Sequence, residues 1–72
     1  MKIPDRWIAD MQLLGENVRL ELAAVAEMPK PGEPLETESY GTWAVVQVLR
    51  AATELVGAAV EVRLLAPADR RG

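Results

Sequence analysis

The densest group of side chains that can take part in chemistry is a set of three carboxylates, Glu33, Glu36 and Glu38. Neighbouring carboxylates can serve as a general acid and base, and their oxygens can also bind Ca²⁺. Their spacing does not match a calcium-binding loop, however. Because they lie in a proline-rich stretch, we favour a solvated charge run that contributes specificity for a basic partner.

Ser39 carries the hydroxyl that comes closest to a candidate nucleophile. A serine nucleophile needs an activating base, and the chain has no His to supply one. Only Lys2 and Lys30 are available as replacements. We therefore expect Ser39 or Thr42 to cap a helix N-terminus, and we expect the protein to have no catalytic residues.

The composition excludes several further classes of site. The chain has neither Cys nor His, which rules out disulfides and the usual zinc and iron sites. It has no glycine-rich phosphate-binding motif, so the sequence predicts no metal and no cofactor. A net charge of −3 without a basic block argues against nucleic acid. No apolar run reaches the length of a membrane span or a signal peptide, which predicts a cytoplasmic location.

The two tryptophans, Trp7 and Trp43, are the most informative large side chains, because the chain has no Phe and a single Tyr. Core packing is the simpler interpretation of both. As a functional alternative, they line a ligand pocket or anchor a partner. Together with Tyr40 and the three glutamates, they make up the predicted partner- or ligand-binding residues.

The element that must carry the first tryptophan is predicted to be a helix over residues 4–14. Pro4 suits a first helical turn, and Gly15 suits a C-terminal stop. Between them an apolar stripe recurs at helical spacing, formed by Trp7, Ile8, Met11 and Leu14.

Two segments have the alternating pattern of half-buried strands. The first begins after Gly15, where Val18, Leu20 and Leu22 alternate with charged residues. A strand over the whole of residues 16–28 would be unusually long, so we expect a bulge or an early end. The second covers residues 59–66 and ends at Pro67. Residues 68–72 are predicted to form a flexible tail.

Residues 29–41 form a proline-rich acidic connection, with a short extended piece around Leu35 as one interpretation. Residues 42–57 then admit two readings. The β-branched and aromatic residues of "TWAVVQV" favour a strand. Apolar and polar positions spaced by three and four favour a helix, and we predict a helix on that ground.

These elements predict a single α/β (α+β) domain over residues 1–72, in which two helices pack on a short sheet in the order α-β-α-β. The connection between the two strands is long enough for a parallel crossover. Two strands make too small a sheet to be stable. Either the Leu35 region adds a strand, or a second copy of the chain completes the sheet.

The sequence therefore favours a non-enzymatic interaction or regulatory module that acts as a homo-oligomer or an accessory subunit. A domain of 72 residues without disulfides or structural zinc has a marginal core, which favours self-association. The alternative is a small-ligand-binding protein whose pocket forms between subunits near Trp43.

Overall fold

Strands make up almost all of the regular structure, in a computed structural model that describes residues 1–23 and 28–68. One 3₁₀ turn, η1, covers Asp5–Trp7. Within these residues, six strands form one sheet in the order β1-β4-β5-β6-β3-β2 that curls into a half-barrel. All neighbouring strands are antiparallel except β1 and β4. The strands are β1 (Lys2–Ile3), β2 (Ile8–Leu14), β3 (Asn17–Leu22), β4 (Pro34–Thr37), β5 (Thr42–Arg50) and β6 (Ala59–Ala66).

The predicted α-β-α-β arrangement is therefore wrong, since the described residues contain no α-helix. The helix predicted over residues 4–14 is instead the η1 turn followed by β2. Gly15 does not end a helix but opens a two-residue turn, because Leu14 faces Asn17 across the β2–β3 hairpin. Gly15 has a φ of +62° and is followed by a residue of negative φ, the combination typical of a type II′ hairpin turn.

The second predicted helix, over residues 42–57, is also wrong, and the strand reading of "TWAVVQV" is correct. Bulges explain the misleading spacing. Val45 and Val48 are three residues apart, yet they face Val62 and Val60, which are two residues apart. One extra residue in β5 returns the next apolar side chain to the same face after three positions instead of two. The resulting spacing of apolar residues in β5 resembles that of a helix.

The predicted strands are confirmed, but the predicted connection between them is not. The strand predicted at residues 59–66 is confirmed as β6, and the expected early end of the first strand is confirmed because β3 stops at Leu22. The Leu35 region does add a strand, β4. The predicted parallel crossover is wrong, because β3 and β6 are antiparallel neighbours. Residues 24–27 and 69–72, which include most of the predicted tail, lie outside the described residues.

The core lies on the concave face of the curled sheet. Leu20, Leu35, Val60 and Val62 are fully buried there, and further apolar side chains surround them. This face is apolar because the inward positions of β3 and β6 alternate with charged outward positions. The burial of these side chains stabilises the curl.

The convex face carries a polar layer instead. Glu61 accepts hydrogen bonds from Asn17 and Gln47, at 2.7 Å each. Beside it, Glu21 forms ion pairs with Arg19 and Arg50. Charged and polar side chains of β3, β5 and β6 therefore cover part of the outer side of the sheet.

Candidate functional site

The predicted site residues separate into three groups. Trp43 and Tyr40 converge on one cleft, and Glu36 and Glu38 line another. Trp7 and Glu33 line neither of these clefts. The acidic and aromatic residues thus do not form one site.

The first cleft, called here the Trp43 cleft, is an open space of about 330 Å³. Trp43 and Leu64 face each other across β5 and β6 and form its floor. Met11 of β2 contributes one wall. The complete lining is Met11, Ser39, Tyr40, Trp43, Leu64, Pro67 and Ala68. The cleft is therefore mainly apolar, with hydroxyl groups on one side, which is the usual character of a site for a small apolar molecule.

Trp43 belongs both to the core and to this cleft, with only 7% of its surface exposed. Its indole Nε1 is buried and has no hydrogen-bond acceptor among the described residues. A buried donor without a partner costs about 1–3 kcal/mol, so such a group is uncommon in a folded protein.

A tight turn positions the hydroxyl-bearing side of the cleft. The Thr37 hydroxyl donates to the Gly41 carbonyl, and the Tyr40 N–H donates to the Thr37 oxygen. Ser39 does not cap a helix, as predicted, but donates from its hydroxyl to Asp5 Oδ2 at 2.5 Å. That bond joins the turn to η1. Thr42, the other predicted cap, begins β5.

The second cleft, of about 280 Å³, lies along β1 and β4. Glu36 approaches Lys2 at 3.9 Å there, and both side chains are exposed, so this ion pair contributes little stability. Glu33 has a structural role through its backbone, since its carbonyl accepts the Val45 N–H. No group of three potential metal ligands occurs among residues 1–23 and 28–68.

Trp7 is a packing residue at the end of η1. Its side chain is half-buried against the core. Its carbonyl accepts the Ala23 N–H, which fastens η1 to the end of β3. The core interpretation of this tryptophan therefore fits its position.

Sequence reasoning missed the free edge of β2. This strand pairs with β3 on one side, and in the described part of the chain no strand pairs with its other side. Leu13 is 88% exposed near the hairpin tip, and Leu14 beside it is also exposed. The signal was present in "LLGEN", where Gly followed by one residue between two apolar runs is a hairpin pattern.

The electrostatics of the convex face stabilise the sheet. The Arg50 hydrogen bonds lower the pKa of Glu21, and the neighbouring arginine charges act in the same direction. Hydrogen bonds from Asn17 and then Gln47 lower the pKa of Glu61. Both carboxylates are thus held in their ionised form by groups of the same face.

Within the described residues, no helix has the length and apolar character needed to cross a membrane. A comparison of the chain with known protein families, curated proteins and solved structures finds no match.

Proposed function

We propose that this protein is a non-enzymatic interaction module that acts as a homo-oligomer in the cytoplasm, and that the free edge of β2 is its contact surface. The single observation that carries the proposal is the edge position of the seven-residue strand β2, which pairs only with β3 among the described residues and ends in exposed leucines. An exposed edge offers unpaired N–H and C=O groups to another chain.

The composition of β2 supports the assignment. Natural proteins blunt free edges with lysine, proline, inward-pointing charge or β-bulges. The bulge that the β2–β3 ladder contains lies between Ile8 and Asp10, near the start of the strand. The sequence of β2, IADMQLL, contains neither lysine nor proline. Its single charged residue is Asp10, which already accepts a hydrogen bond from Gln12. The edge is therefore open to pairing along most of its length.

The size of the domain supports it as well. A chain of 72 residues buries only about 60% of the surface of its unfolded form, which leaves a small net stability. Addition of a strand from a second copy extends the sheet and covers Leu13. Self-association thus supplies burial that the isolated chain lacks.

Sedimentation equilibrium tests the proposal, with Leu13→Lys as the variant. Leu55 provides a matched control, because it is 89% exposed and lies in the β5–β6 connection, at the opposite end of the β3 and β6 strands from Leu13. We expect a dimer mass for the wild type and for Leu55→Lys, and a monomer mass for Leu13→Lys. A monomeric wild type, or loss of the dimer in Leu55→Lys alone, would overturn the proposal.

The second candidate function is the binding of a small apolar ligand in the Trp43 cleft. The buried Nε1 without an acceptor favours it, because a ligand acceptor next to the indole would remove an unfavourable buried donor. The fluorescence of Trp43 in a Trp7→Phe background reports on the cleft. Addition of anilinonaphthalene sulfonate should quench it, and Leu64→Glu should prevent the quenching.

The exposed Glu36 and Glu38 are proposed to add specificity for a basic partner of the oligomer. Charges on a rim accelerate association more than they raise affinity. Any such contribution should weaken as salt is added, because exposed charges are screened.

A further inference from the structure

We infer that the second copy pairs with β2 in one antiparallel register, in which Gln12 lies opposite Gln12 of the second copy. This inference rests on the proposed function and specifies its contact. It follows from the geometry of the free edge, the position of the β2 bulge and the side chains that each register brings together.

The direction of the free backbone groups follows from the hairpin turn. In a two-residue turn, Leu14 and Asn17 form a hydrogen-bonded pair. Hydrogen-bonded and non-hydrogen-bonded pairs alternate along an antiparallel ladder. The N–H and C=O of Leu14 and Gln12 therefore point toward β3. Those of Leu13 and Met11 point away from it, toward the free edge.

The regular part of β2 is symmetric about Gln12. The ladder with β3 shifts between Ile8 and Asp10, so Ala9 lies in a bulge. Regular pairing covers residues 10–14, and Gln12 is the middle of these five. A second copy placed by a two-fold axis at Gln12 uses the regular segment of both chains and avoids both bulges.

This register also pairs the backbone groups that are free. Met11 of one copy lies opposite Leu13 of the other, and both residues direct their N–H and C=O to the edge. Two such Met11–Leu13 pairs form about the axis, and each pair exchanges two hydrogen bonds. Their side chains lie together on the concave face, so the highly exposed Leu13 becomes covered by an apolar neighbour.

Like charges and the bulge at Ala9 argue against the neighbouring registers. An axis at Leu13 would place Asp10 opposite Glu16 of the second copy, and an axis at Asp10 would place two aspartates opposite each other. Like charges directly opposite are unfavourable. An axis at Met11 brings Leu13 opposite Ala9, which lies in the bulge. The Gln12 register avoids all three disadvantages.

The Trp43 cleft gains a wall in this arrangement. Met11 lines the cleft in one copy, and Leu13 of the second copy lies directly beside it. The second chain thus contributes an apolar side chain to the rim of the cleft, which becomes a site between two subunits.

Disulfide trapping tests the register, and the absence of cysteine from the chain makes single-cysteine variants unambiguous. Facing Cα atoms of a non-hydrogen-bonded pair are about 4.5 Å apart, at the short end of the disulfide range. Under mild oxidation, Gln12→Cys should form a covalent dimer. Asp10→Cys, on the same exposed face, should not. Met11→Cys mixed with Leu13→Cys should form a heterodimer in preference to either homodimer.

The outcomes separate this inference from the proposed function. A dimer that Leu13→Lys abolishes, but that Gln12→Cys fails to trap, would overturn the register and leave the edge contact intact. Trapping by Asp10→Cys or Met11→Cys alone would move the axis and also overturn the register. A monomeric wild type would overturn both. Circular dichroism of each reduced variant verifies that the hairpin still folds.

Discussion

The carboxylate of Glu21 receives two hydrogen bonds from the guanidinium of Arg50, at 2.6 and 3.3 Å, although β3 and β5 are not neighbours in the sheet. The pair spans β6 over Ala59, which is completely buried beneath it. Arg50 also donates to the carbonyl of Gly57, at 2.8 Å. Arg50 of β5 therefore links its own strand to β3 and to the β5–β6 connection.

Arg50→Ala should lower the free energy of unfolding by about 1–2 kcal/mol, since it removes charge-assisted bonds that are partly exposed to water. Arg63→Ala is the matched control, because Arg63 is exposed on the convex side of β6. It should change stability by less than about 0.5 kcal/mol. Urea denaturation of both variants measures the difference, and equal losses would contradict the role of Arg50.

Acid should destabilise the protein through Glu21. The Arg50 hydrogen bonds hold the folded-state pKa of Glu21 below its ordinary value of 4.5. The ionised form therefore stabilises the fold above that value, and this stabilisation is lost as the pH falls through the lowered pKa. Denaturation at a series of acidic pH values should show a smaller loss for Glu21→Gln than for the wild type. Parallel curves would show that Glu21 makes no contribution.

Gly57 allows the β5–β6 connection to approach the end of β3. A Cβ at this position would overlap the carbonyl oxygen of Leu22, a backbone atom that cannot move aside alone. Gly57→Ala should therefore lower the free energy of unfolding by more than about 2 kcal/mol. Gly32→Ala is the comparison, because it has open space and only an unfavourable φ of +83°. Gly32→Ala should lower the free energy of unfolding by about 1 kcal/mol. Thermal melts of both variants measure the two losses, and a larger loss for Gly32→Ala than for Gly57→Ala would contradict the prediction.

The acidic side chains should be dispensable for folding. Replacement of Glu33, Glu36 and Glu38 together by Gln should change stability by less than about 0.5 kcal/mol, because none of the three is buried. The exposed ion pair of Glu36 with Lys2 is the only side-chain interaction of these three that the described residues show. A large fall in the melting temperature would mean that one of the carboxylates has a packing role.

Strands with regular alternation were predictable from the sequence, and strands with bulges were not. β6 keeps its core side chains at Val60 and Val62, which alternate with the outward Glu61 and Arg63, so its period is visible. In β5 the bulges return apolar side chains to the core face after three residues, which is also the spacing of a helix. In β2 a single bulge and the stripe through Met11 had the same effect. Pairing with β3 makes the β2 segment a strand, and no local pattern in the sequence encodes that pairing.

The candidate site was predicted only in part. Aromatic residues are rare in this chain, and for that reason Trp43 and Tyr40 were predicted to be binding residues. Both line one cleft. The free edge depends on the order of strands in the sheet, with β2 outermost, and that order is not readable from residue types. Leu13 therefore entered no predicted site, although it is among the most exposed apolar side chains described.

Amide hydrogen exchange of Met11 and Leu13, followed by NMR at high and low protein concentration, tests the proposed edge contact most directly. Their N–H groups point to the free edge, whereas the N–H of Gln12 points to β3 and serves as an internal reference. We expect Met11 and Leu13 to be protected at high concentration and to lose protection on dilution, while Gln12 stays protected at both. Fast exchange of Met11 and Leu13 at every concentration would contradict the pairing of β2 with a second copy.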